Sequence, residues 1–126
     1  MDRYDPLEAP VSEEWLDLDE SERIAMVERY HRRARIPLPN ANMHATFHAV
    51  VENQAALGEE TPVRRTLERL MAEGVDRHEA VHAVMATLSN HMLDLVRGAS
   101  PSSDPNASYF AALRRLTVES WRKYFG

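Results

Sequence analysis

The chain contains no cysteine among its 126 residues, which excludes disulfides, thiolate metal sites and cysteine nucleophiles. It also has no apolar run near the roughly 20 residues that a membrane span needs. The 15 basic residues are outnumbered by 20 acidic ones, and a net charge of -5 argues against nucleic acid as the main partner. The N-terminus is polar and acidic, unlike a secretory signal. We therefore expect a cytoplasmic protein with no membrane or nucleic-acid partner, in which any metal would be held by His, Asp or Glu.

Strand patterns are nearly absent, whereas the start and stop signals of helices recur along the chain. Asp19 followed by Glu22 has the spacing of a capping box, and Pro37 and Pro39 are expected to end the helix that begins there. Similar signals divide the remaining chain. The predicted helix starts are Ser12, Asp19, Asn40 or Asn42, Pro62, Asp76 and Asp104.

These signals predict an all-α fold, namely a single compact bundle of about five helices with an irregular N-terminal arm. The expected domain covers residues 1–126, with the arm at residues 1–11 and a loop at residues 98–106 before the last helix. That last helix is expected to run without a break from Asp104 to Phe125. Its aromatic residues indicate core packing or a homodimer contact.

Four of the six histidines form two pairs with the same spacing, His44 with His48 and His78 with His82. On a helix, residues at i and i+4 project from one face about one turn apart. Two helices that face each other would bring the four imidazoles to one point. Neutral imidazole is a good ligand for zinc, iron, copper and nickel. The alternative is that these are histidines at the edge of the core, bonded to backbone carbonyls or to nearby carboxylates.

Glu52 extends the first pair into a row of three residues on one helix face. It could be a fifth metal ligand, or it could orient a ligating histidine by accepting a hydrogen bond. An exposed surface carboxylate is the third interpretation, because glutamate is a common surface residue of helices.

The second pair also matches H-E-x-x-H, in which Glu79 would activate water if the site were hydrolytic. Three observations argue against a peptidase: no third ligand follows at suitable spacing, no edge strand could hold a peptide, and Asp76 with Glu79 has capping-box spacing. The capping interpretation explains Glu79 without catalysis. His31 and His91 have no partner at useful spacing and are left outside the predicted site.

Four stretches of the chain are distinctive: W-L-x-L-D-E-x-E-R-I, N-x-N-x-H-x-x-x-H-x-x-V-E-N-Q, T-P-V-x-x-T-L-x-R-L-x-x-E-G and D-R-H-E-A-V-H-A. Together they resemble a family of short uncharacterised bacterial proteins, a domain of unknown function. The resemblance covers most of residues 15–86. It implies a small bacterial helical protein of the cytoplasm, with the four paired histidines, Glu52 and Glu79 on the family's motif positions. It implies no established activity.

We therefore predict a transition-metal site made by His44, His48, His78, His82 and Glu52, with a structural or regulatory role. Zinc is the first expectation, because the ligands are neutral nitrogens without thiolates, and iron or nickel follow. Four histidines around zinc would leave no place for water, whereas a set of three, or one that includes Glu52, could leave an open position. A metal-dependent hydrolase is thus one alternative. A metal-free interaction module or homodimer is the other.

Overall fold

A computed structural model describes residues 1, 3–36, 40–98 and 104–124, and over these residues the fold is all-α without a strand. The helices are α1 (Ser12–Asp17), α2 (Glu20–Arg33), α3 (Ala41–Ala56), α4 (Val63–Ala72), α5 (Arg77–Val96), α6 (Ala107–Arg115) and α7 (Val118–Tyr124). A 3-10 turn, Gly58–Glu60, lies between α3 and α4. The predicted all-α bundle is confirmed. The higher number of helices arises from the short α1 and from a break in the predicted last helix.

The predicted helix starts hold where a side chain can cap the helix. Asp19 and Asn40 cap α2 and α3 by accepting the backbone N–H of the third residue along, at 3.0 and 3.1 Å. Helix α2 ends at Arg33, close to the expected end. Pro37 and Pro39, which were predicted to stop it, lie outside the described residues.

The prediction of one continuous last helix is wrong, because the chain breaks between α6 and α7. Thr117 forms a new cap there, and its hydroxyl accepts the backbone N–H of Ser120 at 3.0 Å. The guanidinium of Arg69 donates to the carbonyls of Leu113 and Leu116 at the end of α6. These carbonyls therefore have partners outside the helix, and the chain can turn at this point.

Helix α3 lies between two clusters of buried apolar side chains and contributes to both. It packs against α2 on one side and α5 on the other. One cluster comes from the arm, α1, α2 and α3: Tyr4, Trp15, Met26, Val27, Ala45 and Ala49. The other comes mainly from α3 to α6 and includes Val51, Leu67, Leu70, Val81, Val84 and Leu113. Side chains of α3 at the boundary between α2 and α5 are therefore enclosed by these three helices.

Among the described residues of the N-terminal arm no helix precedes Ser12, but the arm packs against the bundle. Tyr4 is 1% exposed, and its ring centroid lies 5.5 Å from that of Trp15. Pro6 is also buried. The arm thus closes one side of the bundle next to α3. None of the described helices is both long enough and apolar enough to cross a bilayer.

Candidate metal centre

The two predicted histidine pairs face each other across the contact between α3 and α5. Ring centroids of His44 and His82 lie 5.0 Å apart, and those of His48 and His78 lie 5.7 Å apart. Within the pairs the centroids are 5.8 Å apart on α3 and 4.3 Å apart on α5. The four imidazoles therefore lie close together between the two helices. The spacing within each pair predicted this grouping, and the packing of α3 against α5 produces it.

A fifth histidine, His31 on α2, completes this group, although the sequence analysis left it out. Its ring centroid lies 4.7 Å from that of His44, 5.4 Å from that of His48 and 5.7 Å from that of His78. His31 follows Val27 by four residues on the buried face of α2 and is itself only 3% exposed. A polar residue in an otherwise apolar stripe was the available signal, because such a position needs a polar partner across the interface. We call these five residues the histidine cluster.

Each ring of the histidine cluster has a buried nitrogen without a hydrogen-bond partner. These atoms are Nε2 of His31, His44, His78 and His82, and Nδ1 of His48. Buried polar groups are seldom left unsatisfied, because the loss of water is then not compensated. Five such atoms grouped in one place call for a common explanation.

A hydrogen bond at the edge of the cluster determines which ring nitrogen of His31 carries its hydrogen. Nδ1 of His31 lies 2.9 Å from the carbonyl oxygen of Val27 and must donate to it. In the neutral ring, Nε2 of His31 then carries a lone pair. Such a lone pair is the form of imidazole nitrogen that binds metals.

Four of the histidines are close enough together for a single ion. One ligand nitrogen from each of His31, His48, His78 and His82 lies within 4.8 Å of the others. Around a tetrahedral zinc ion with Zn–N bonds of about 2.0–2.1 Å, the nitrogens lie about 3.4 Å apart. Inward movement of each ring nitrogen by about 1 Å or less reaches that distance, so the cluster could hold a metal ion. His44 lies beside this set of four.

The pKa values of four cluster histidines are lowered, which favours their neutral form. Burial, and after it the neighbouring imidazoles, lower the pKa of His44 to about 4 and that of His82 to about 3. The same causes lower the pKa of His48 well below its usual range, and burial foremost lowers that of His78. Neutral rings avoid mutual repulsion and leave their nitrogens available as ligands.

Glu52 is buried next to the cluster, but its oxygens are engaged elsewhere. Arg77 donates two hydrogen bonds to the carboxylate, at 2.7 and 2.8 Å. The hydroxyl of Tyr4 donates a third, and the oxygen of that hydroxyl lies 2.7 Å from Nε2 of His48. Glu52 therefore reaches the cluster through Tyr4 and is not among the four residues that offer converging ligand atoms. Tyr4 and Arg77 were not identified from the sequence.

Glu79 of the H-E-x-x-H motif points away from the histidine cluster. Its carboxylate accepts a hydrogen bond from Nε1 of Trp121 at 3.0 Å and lies 3.6 Å from the guanidinium of Arg122. Its backbone N–H donates to the side chain of Asp76 at 2.8 Å, as expected for the start of α5. The other half of the predicted capping box is wrong, because the Glu79 carboxylate bonds to Trp121 and not to the Asp76 backbone. The carboxylate thus links α5 to α7.

His91 lies apart from the cluster, near the other end of α5. It is buried, its Nδ1 lies 3.1 Å from the hydroxyl of Ser108, and its ring stacks on Tyr109 with centroids 5.6 Å apart. Its Nε2 has no partner. A buried, unpartnered ring nitrogen therefore also occurs outside the cluster. What distinguishes the cluster is that several histidines with such nitrogens lie close together.

Comparison with known proteins gives a family and no activity. The family described as a domain of unknown function, DUF1841, matches residues 18–115. The match includes all five cluster histidines, Glu52 and Arg77, and it begins after Tyr4. No curated protein and no solved structure shows significant similarity to the chain.

Proposed function

We propose that this chain, which belongs to the DUF1841 family, binds one transition-metal ion within the histidine cluster. The proposal rests on the convergence of histidine side chains from three helices, each of which has a buried ring nitrogen without a partner. An ion at their centre would satisfy these atoms together, whereas hydrogen bonds between the rings are absent. The family itself assigns no activity, so the proposal depends on the chemistry of the cluster.

The proposed ligands are Nε2 of His31, His78 and His82 and Nδ1 of His48. Four neutral nitrogens without thiolate or carboxylate suit zinc first, with iron or nickel behind it. His44 is proposed as a neighbouring nitrogen that can join or replace one of the four. Because the ligands come from α2, α3 and α5, the bound ion would connect three helices.

A structural or regulatory role fits this arrangement best. Four histidines fill a tetrahedral zinc site and leave no position for water. A metal-dependent hydrolase is the alternative, and it would need a general base other than Glu79, whose carboxylate contacts α7. A metal-free interaction module or homodimer is the remaining alternative. A cytoplasmic location and the lack of a nucleic-acid or membrane partner stay proposals from composition.

The deciding experiment is metal analysis of protein purified without an affinity tag. The protein is stripped with a chelator, reconstituted with zinc, iron or nickel, and desalted before elemental analysis. We expect about one ion per chain, and a loss of that ion in the double variant His78→Ala/His82→Ala. His91→Ala is the matched control, because His91 is also buried with a free Nε2 but lies outside the cluster.

Thermal unfolding of the same samples gives a second, independent measurement. A ligand that binds only the folded state at 100 times its Kd stabilises it by about 2.7 kcal/mol. We therefore expect the midpoint of the wild-type protein to rise with metal, and that of the double variant to stay unchanged. Wild-type protein that holds no stoichiometric ion after reconstitution, and whose midpoint does not move, would overturn the proposal.

A further inference from the structure

Tyr4 is the deepest residue of the N-terminal arm and connects the arm to the histidine cluster. Its neighbours Arg3 and Asp5 are exposed, while its own side chain is 1% exposed. The ring meets that of His48 edge to face, with centroids 5.4 Å apart. Its hydroxyl contacts both His48 and Glu52. An irregular segment thus supplies a side chain in direct contact with a cluster histidine.

The hydroxyl of Tyr4 can donate its hydrogen only to Glu52. Glu52 is held by two hydrogen bonds from Arg77, and an ionised carboxylate can only accept. The tyrosine hydroxyl has a single hydrogen to donate and lone pairs with which to accept. Tyr4 consequently donates to Glu52, and the contact with His48 must use the tyrosine oxygen as acceptor.

The protonation of His48 follows from this geometry. Nε2 of His48 lies 2.7 Å from the tyrosine oxygen and has to carry the hydrogen that it donates. Nδ1 then holds the lone pair, and Nδ1 is the buried nitrogen of His48 that has no partner. His31 carries its hydrogen on the other ring nitrogen, since its Nδ1 donates to a backbone carbonyl. In both rings the nitrogen with the lone pair is the buried one without a partner.

We infer that Tyr4 is a positioning residue of the metal site, which holds His48 in the tautomer that binds metal through Nδ1. The inference rests on the proposed function and adds a residue from outside the matched family segment. Glu52 acts through Tyr4, because it takes the hydroxyl proton and leaves the oxygen to accept. Arg77 holds Glu52 in place and also donates to the carbonyl of Pro6 at 3.1 Å, which ties the arm to α5.

The test removes only the hydroxyl, with Tyr4→Phe, and keeps the ring that packs in the core. Loss of a partner that orients a metal-binding histidine typically weakens metal binding by about 10- to 100-fold. We expect the zinc Kd, measured by competition with a chromophoric chelator, to rise by at least about tenfold on this scale. Tyr109→Phe is the control, because Tyr109 is a buried tyrosine whose hydroxyl donates to Gln54 at 2.7 Å, outside the cluster. Its Kd should match that of the wild type.

A second readout follows the tautomer itself, and its first part uses only the wild-type protein. Nitrogen-15 NMR of the histidine rings in metal-free wild-type protein should show the His48 hydrogen on Nε2. In Tyr4→Phe the two tautomers should mix. A wild-type His48 that carries its hydrogen on Nδ1, or a Tyr4→Phe protein with unchanged Kd and tautomer, would refute the inference. Wild-type protein that binds none of zinc, iron and nickel would instead refute the proposed function, while the tautomer result would still decide the contact between Tyr4 and His48.

Discussion

Replacing Arg77 with methionine should strongly destabilise the metal-free protein. The change keeps a long apolar side chain but removes both hydrogen bonds to Glu52. The Glu52 side chain is completely inaccessible and that of Arg77 is 6% exposed, so no water can replace the lost donors. Glu52 would keep only the hydroxyl of Tyr4 as a partner. A buried carboxylate in that state is an uncompensated charge.

The expected cost is about 3–5 kcal/mol, the range found when one partner of a buried ion pair is removed. For a chain of this length, that loss lowers the melting temperature by roughly 10–20 °C. Most of this cost belongs to the charge left behind, so removing that charge should recover stability. The double variant Arg77→Met/Glu52→Gln should therefore unfold at higher denaturant than Arg77→Met, because the glutamine oxygen can still accept from Tyr4.

Urea unfolding of the four proteins in a double-mutant cycle measures the effect, with chelator present throughout. Arg65→Met is the control, because Arg65 pairs with Glu59 at 2.6 Å, but both side chains are 77% exposed. Exposed pairs contribute little, so this variant should unfold close to the wild type. If Arg77→Met costs no more than Arg65→Met, the buried pair is not isolated from water and the reasoning fails.

Two further predictions concern the histidine cluster and the break before α7. The metal-free protein should lose stability as the pH falls from about 6.5 towards 4, because burial lowers the pKa of His44 and His82 in the folded state and the unfolded chain then binds more protons. A urea midpoint that is equal at pH 7.5 and pH 5.5 would contradict this sign. Thr117→Ala should cost about 1 kcal/mol through loss of the α7 cap. Ser21→Ala, at an exposed hydroxyl beside the Asp19 cap, is the control for the same unfolding measurement and should change stability less.

Local patterns were sufficient to predict the helices up to α5 and the two histidine pairs. Helix starts depend on side chains within three residues, as at Asp19 and Asn40, and spacing of four residues places His44 with His48 whatever the rest of the chain does. The break at Thr117 was missed because part of its cause is remote. Arg69 on α4 donates to the last carbonyls of α6, and no window around residue 117 contains that contact.

His31 and Tyr4 were missed for a related reason. Each is a single residue whose partners lie on other segments, so no spacing within its own segment points to a site. The position of His31 depends on how α2 packs against α3. That of Tyr4 depends on the path of an arm without periodicity. Glu52 was identified as important, but its partner Arg77 could be found only once the packing of α3 and α5 was known.

The start of α5 determines both the histidine cluster and the buried ion pair. Asp76 caps this helix, so Arg77 and His78 are its first two residues. Consecutive helical residues point about 100° apart, since 3.6 residues make one turn. One side chain can then reach Glu52 while the next enters the cluster. A shift of the helix register by one residue would turn both side chains by about 100° and disrupt both contacts. The H-E-x-x-H sequence therefore has a structural context: the hydrogen bond between Asp76 and the backbone N–H of Glu79 fixes where the helix that carries two proposed ligands begins.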